Sequence, residues 1–214
     1  MLRLSKTSKL DGILSWSLQA LETCPASINS DGSLVDACRG CYATTGNYNY
    51  PNVKAPRLEN REDWKRGEWV SDMVKALDSQ RYFRWFDSGD MYSLGLAEKI
   101  LQVMQATPWV KHWLPTRMLK FDKFQAVIGQ MQALPNVMIR FSSDSVTGEH
   151  TYRHGSVIVM DATKAVGFLC RAYEHGGKCN GCRACYDKTV PLVSYPAHGK
   201  KMTKVIKLVQ VKAK

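Results

Sequence analysis

Seven cysteines fall into two groups: Cys24, Cys38 and Cys41 near the start, and Cys170, Cys179, Cys182 and Cys185 near the end, with 128 Cys-free residues between them. Thiolates are soft ligands that suit iron–sulfur clusters and zinc. The run Cys179-x2-Cys182-x2-Cys185 lets consecutive thiolates and backbone N–H groups curl around one inorganic centre, as in bacterial ferredoxins. A ferredoxin run places its next Cys four residues on, where this chain has Thr189, so the fourth ligand comes from elsewhere. Cys170 is the nearest candidate, and Gly176, Gly177 and Gly181 free the intervening backbone to fold back. These four residues are expected to hold a [4Fe–4S] cluster. Zinc is the runner-up, with His175 as an added donor, but three Cys at x2 spacings crowd a single ion more than a cubane.

The first group is less specific. Cys24-x13-Cys38-x2-Cys41 supplies three ligands, enough for a second cluster with one exposed iron or for a metal completed by a His. Alternatively, Cys24-Pro25 resembles the Cys-Pro that supplies a remote ferredoxin ligand, and both groups then share one cluster. A third reading makes Cys24, Cys38 and Cys41 buried small residues. All seven are candidate metal ligands, and their partition stays open at this level.

Something must carry these groups, and the intervening chain alternates strand-like and helix-like segments. Strands are expected at Ile13–Leu18, Tyr82–Asp87, Lys111–Thr116, Asn136–Ser142 and Ser156–Met160. Helical spacing marks Ser93–Met104, with Ser93 as N-cap, and Phe121–Leu134. This alternation predicts a single α/β domain over residues 1–214, an open sheet or a partial, incomplete TIM-like barrel of parallel strands with covering helices and Cys-rich loops. In that architecture chemistry gathers at the carboxyl ends of strands. Asp87, Ser88 and Asp90, then Thr116 and Arg117, then Ser142, Ser143 and Asp144 follow three successive strands. Each alone reads as a cap or turn residue; together they mark a site. Gly46–Arg66 is expected to be an irregular covering loop, and the alternating Lys204–Lys212 an amphipathic edge strand.

The formal charge is +11. Residues 1–10 contribute +3 and residues 198–214 contribute +6, with no acid in either, so residues 11–197 hold only +2. The basicity belongs to the terminal segments, 1–10 and 200–214, which could neutralise phosphates of a nucleic acid. Apolar residues at 44% and charged residues at 23% are ordinary for a folded soluble protein. No apolar run reaches membrane-span length, and the N-terminal residues lack a secretory h-region, so an intracellular protein with reduced thiols and no membrane partner is expected.

Cys24-Pro25, Cys38, Cys41-Tyr42-Ala43, Gly46, Tyr48, Val53, Arg57 and Asn60 resemble the N-terminal signature of the bacteriophage gene product 88 family. RWFDSGDM at Arg84–Met91, CRACYD at Cys182–Asp187 and the following VSYPAHGKK are similar to that family's middle and C-terminal blocks. The resemblance implies a phage-encoded, metal-binding protein acting in the host bacterial cytoplasm.

The leading functional expectation is an enzyme in which an accessible cluster iron acts as Lewis acid, for example in ester hydrolysis of a small-molecule substrate. Asp87 or Asp90 would serve as base, Arg117 or Arg140 would hold an anionic substrate, and His198 is a further acid–base candidate. The alternative is a DNA-binding or redox-sensing module, with Tyr42, Tyr48 and Tyr50 beside Arg57 and Arg61 as stacking residues. Ranked below both is radical chemistry: barrel-like folds with a three-Cys cluster resemble radical S-adenosylmethionine enzymes, but their C-x3-C-x2-C run is absent.

Overall fold

The computed structural model of the chain describes residues 1–212. Eight strands form one sheet: β1 (Ser5–Thr7), β2 (Ile13–Trp16), β3 (Tyr82–Trp85), β4 (Lys111–Thr116), β5 (Val137–Ser142), β6 (Gly155–Val159), β7 (Phe168–Leu169) and β8 (Leu192–Pro196). Their spatial order is β1-β2-β3-β4-β5-β6-β8-β7. Only β1 runs antiparallel to its neighbour; all other pairs are parallel. The chain is therefore α/β with a mostly parallel sheet, which stays open with β1 and β7 as its edges.

Three helices, α3 (Trp69–Ala76), α4 (Leu94–Ala106) and α5 (Asp122–Ala133), connect β2 through β5 and share one core cluster with Phe83, Trp85, Leu114, Val137, Ile139 and Phe141. Parallel strands laid down in sequence order by right-handed crossovers put their helices on one side. Strand alternation then turns the intervening residues, Tyr82, Arg84, Trp113, Met138 and Arg140, to the opposite face. The register aligns Arg84 with Trp113 and Trp113 with Met138. This second face is covered by the C-terminal cysteine loop, whose Cys179, Cys185 and Tyr186 pack with Trp113 and Tyr82.

Two expected elements differ. The segment expected as an irregular loop contains α2 (Pro51–Asp63). Pro51 opens it at a first-turn position, where the missing N–H costs nothing. Its inward residues, Arg57, Asn60 and Asp63, are polar, so no apolar stripe announced a helix. Asn60 instead donates to the carbonyls of Arg3 (2.9 Å) and Ser17 (3.0 Å). The tail expected as an edge strand is α6 (Lys200–Lys212), with Met202, Val205 and Ile206 buried against Ala37 and Val146. The short helix α1 (Asp36–Arg39) lies beneath it and carries Cys38. Ser93 does occupy the N-cap position of α4, without a side-chain capping bond. No helix among the described residues is long and apolar enough to cross a membrane.

Candidate functional site

The two cysteine groups occupy separate loops: the first meets the carboxyl ends of β4 and β5, and the second lies over the second face of the sheet and reaches the turn before β2. Cys24 precedes the turn Pro25–Ser27, Cys38 sits in α1, and Cys41 follows it. This loop is tied across β4 and β5: Ala37 N–H donates to the Asp144 carbonyl (2.8 Å), and Lys120 Nζ donates to the Ala26 carbonyl (2.9 Å). Burial pushes the Cys24 thiol up to about 12, with Asp90, Cys38 and Cys41 adding to the shift. Burial also raises Cys38 and Cys41, against the opposing charge of Arg117. The three thiols thus lie within electrostatic reach of one another, as do Asp90 for Cys24 and Arg117 for Cys38 and Cys41.

Of the expected catalytic residues, Asp90 and Arg117 belong to this first group. Asp90 Oδ1 accepts from Thr116 Oγ1 (2.7 Å) and Met91 N–H (2.8 Å), and Oδ2 accepts from Arg117 N–H (3.0 Å). The carboxylate therefore clamps the end of β3 to the end of β4. Burial nevertheless holds its pKa above the usual carboxylate range. Arg117 pairs with Asp144 (3.1 Å) and donates to the Ser143 carbonyl (2.7 Å).

Asp87 lies apart, in a phenol-rich cluster. Its Oδ2 accepts from Arg57 Nη2 (2.8 Å) and Tyr48 Oη (3.3 Å), while Tyr42 Oη donates to its carbonyl (2.5 Å). The Tyr42 ring is half exposed while its hydroxyl end turns inward.

Cys170 follows β7 and is fixed by its N–H to the Ser194 carbonyl (2.9 Å). The chain then turns through left-handed Gly176, Gly177 and Gly181 and returns under the sheet face. Cys179 N–H donates to the Lys9 carbonyl (2.8 Å), and Gly181 N–H to Asp11 (3.0 Å). Burial raises Cys179 to about 11, helped by Cys185, Cys170 and Cys182, so this group is electrostatically coupled as well. His175, the additional donor considered for zinc, is exposed.

Arg140 organises this second group. Its side chain, fully buried in β5, donates to the carbonyls of Cys185 (3.0 Å), Ala184 (2.7 Å), Asp187 (3.1 Å), Val190 (3.0 Å) and Gly155 (3.4 Å). Among the described residues it forms no ion pair. Tyr195 Oη lies 3.1 Å from Cys185 Sγ. The Cys185 thiol is raised by burial but pulled down by that hydroxyl, Arg140 and Arg84.

Among the described residues no group of three or more His, Cys, Asp and Glu side chains is gathered tightly enough to hold a metal ion.

Sequence reasoning passed over Arg84, Tyr173 and Tyr195. An arginine at an alternate position of the otherwise aromatic run Tyr82–Phe86 was the available signal. Tyr173 Oη is 2.7 Å from His198 Nε2, with Lys9 Nζ 4.9 Å from the Tyr173 ring. Burial raises the Tyr173 hydroxyl, with Tyr42 and Cys170 adding to the shift.

Fold and site together define an open, mostly parallel α/β protein with two cysteine-bearing loops over one sheet. The chain belongs to the gene product 88 family, whose model matches residues 2–188. The VSYPAHGKK segment and α6 lie beyond that match. No curated protein and no solved structure matches the chain.

Proposed function

We propose that the chain is a phage-encoded iron–sulfur enzyme built on an incomplete barrel, working in the host cytoplasm. Cys170, Cys179, Cys182 and Cys185 would hold a [4Fe–4S] cluster, and Cys24, Cys38 and Cys41 a second one. The observation that carries this reading is Arg140, a buried guanidinium wrapped around the Cys185 segment with no carboxylate partner. An uncompensated buried cation costs several kcal/mol. Thiolates bound to a cluster supply negative charge at that place, and the Tyr195 hydroxyl is set to donate to one of them. Three thiols for four cluster corners leave one iron open to an external ligand, to which the group supplies a Lewis-acidic or reducing iron when bound.

Two considerations favour reductive chemistry over hydrolysis. Lewis-acid hydrolysis needs one open iron and no electron source, whereas two thiol groups, with Tyr42 adjoining Cys41 and Tyr173 within electrostatic reach of both Tyr42 and Cys170, suit electron delivery. The bases hydrolysis would use are also engaged, Asp90 by three donors and Asp87 by Arg57. The three-thiol loop follows β2, the first strand of the parallel series, over a sheet wound in sequence order as far as β6. That arrangement resembles radical S-adenosylmethionine enzymes although their cysteine spacing is absent.

Anaerobic reconstitution followed by iron and sulfide analysis and electron paramagnetic resonance tests the reading. About eight irons per chain are expected, falling to about four in Cys185→Ser and in Cys38→Ser. Cleavage of S-adenosylmethionine by the reduced protein supports the reductive assignment. Ester hydrolysis that vanishes with the cluster, without such cleavage, restores the Lewis-acid assignment. Zinc without sulfide overturns both.

A further inference from the structure

Arg84 is placed differently from every other arginine near the site. Arg57 is paired with Asp87, Arg117 with Asp144, and Arg140 with backbone carbonyls. Arg84 forms no ion pair among the described residues, and its Nε is shut off from solvent with no hydrogen-bond partner. The guanidinium rests 4.6 Å from the Trp113 ring centre. Phenols of Tyr42, Tyr48 and Tyr195 lie within its electrostatic reach, as does Asp87. Asp87 is already bound by Arg57, so two guanidiniums face one carboxylate and one positive charge is left over.

The geometry points to Arg84 as the anchor of a binding site for the oxyanion, carboxylate or phosphate, of a small ligand with a planar body. A guanidinium offers five donors in a rigid fork matched to such oxyanions. The half-exposed ring of Tyr42, one of the phenols facing Arg84, offers a flat surface for the planar body. The position, one strand residue before the carboxyl end of β3, is where parallel α/β sheets take ligands. It also lies between the cysteine groups: Tyr42 adjoins Cys41, and Tyr195 contacts Cys185. The site's meaning as a substrate site rests on the enzyme reading above, while the binding itself requires no cluster.

Calorimetric titration of the full chain with benzoate, phenyl phosphate and the neutral benzyl alcohol tests the inference, with iron and sulfide measured on every sample. At least one anion should bind, and benzyl alcohol should not. Arg84→Met should abolish binding, and Arg84→Lys, which keeps the charge but loses the fork, should weaken it roughly tenfold. Should the Met variant fail to fold, the Lys variant carries the test. Benzoate alone identifies a carboxylate ligand, and phenyl phosphate alone a phosphate ester. Binding of neither anion by the wild type, or undiminished binding by the Arg84 variants, overturns the proposal. Metal content reports separately on the cluster reading.

Discussion

His112 should make this fold acid-sensitive in a way that can be isolated. It is fully buried in β4, on the helix-covered face of the sheet. Thr107 Oγ1 donates to the Val103 carbonyl (2.7 Å), so its 2.9 Å contact with His112 Nε2 requires the imidazole to donate there. Nδ1 is then the acceptor for Trp85 Nε1–H at 3.3 Å. Both ring nitrogens are used by the neutral form. Protonation would bury a charge and set two N–H groups against each other at Trp85. Burial accordingly lowers the imidazole from its ordinary 6.5 to about 3.

With the folded pKa depressed, the unfolded chain binds the proton first as pH falls. The contribution is fully present above pH 6.5 and is lost progressively between there and pH 3. Between pH 7.5 and 5.0 the loss amounts to about 2 kcal/mol, from about 1.36 kcal/mol per pH unit below the unfolded value. His112→Phe keeps a ring but strands the Trp85 N–H, costing about 1–3 kcal/mol at pH 7.5. Urea titrations followed by tryptophan fluorescence at several pH values should therefore show the gap between wild type and variant shrinking by about 2 kcal/mol at pH 5.0. Parallel stability curves for the two proteins would refute the assignment of His112 as a buried neutral imidazole.

Arg140→Met removes the donor shared by five carbonyls and should cost roughly 3–5 kcal/mol of stability, with Cys185 becoming quickly alkylated in the metal-free protein; slow alkylation would show that the loop is held by other contacts. Gly89 has φ +80, and a Cβ there would stand 2.6 Å from Leu18 Cβ and 2.7 Å from Thr23 Oγ1. Gly89→Ala should therefore cost at least about 2 kcal/mol in denaturant titrations; a neutral result would contradict the packing of the Asp87–Asp90 turn. On α6, Lys200, Lys204 and Lys207 share the exposed face opposite Met202 and Val205. Charge reversal at all three should reduce the salt slope of non-specific DNA binding by about 2–3, and an unchanged slope removes α6 from phosphate contact. Reversal is preferable to deleting the tail, which would also strip buried core residues.

Apolar periodicity made much of the frame legible. The boundaries of β4 agree with expectation at both ends, because His112, Leu114 and Thr116 alternate with outward positions between turn residues. The faces of α4 and α5 were equally plain. Where burial is polar, that signal fails: α2 turns Arg57, Asn60 and Asp63 inward, and its sequence reads as a loop. In α6 the interspersed lysines and aliphatics satisfy both a strand and a helix period, and only packing against α1 decides. At the site, sequence separated the cysteines into three and four, and the thiols perturbing Cys24 and Cys179 come from their own groups. It could not rank the arginines. Arg117 and Arg140 were the natural anion holders by position, yet Arg117 pairs with Asp144 and Arg140 with backbone carbonyls, while the buried Nε of Arg84 has no partner.

That difference bears on what the net charge means. The lysines of α6 are spread on solvent, where a cation costs little and identifies no particular partner. Arg140 is fully buried and Arg84 half-buried on the second face of the sheet, near Cys185, and neither forms an ion pair among the described residues. Counting thiols as neutral leaves those two charges inside the protein uncompensated, a costly arrangement for a marginally stable fold. Counting them as cluster-bound thiolates, with an oxyanion at Arg84, balances both. The +2 of the chain body is thus a small number with an uneven distribution: its interior share lies where the proposed cluster and ligand would put negative charge.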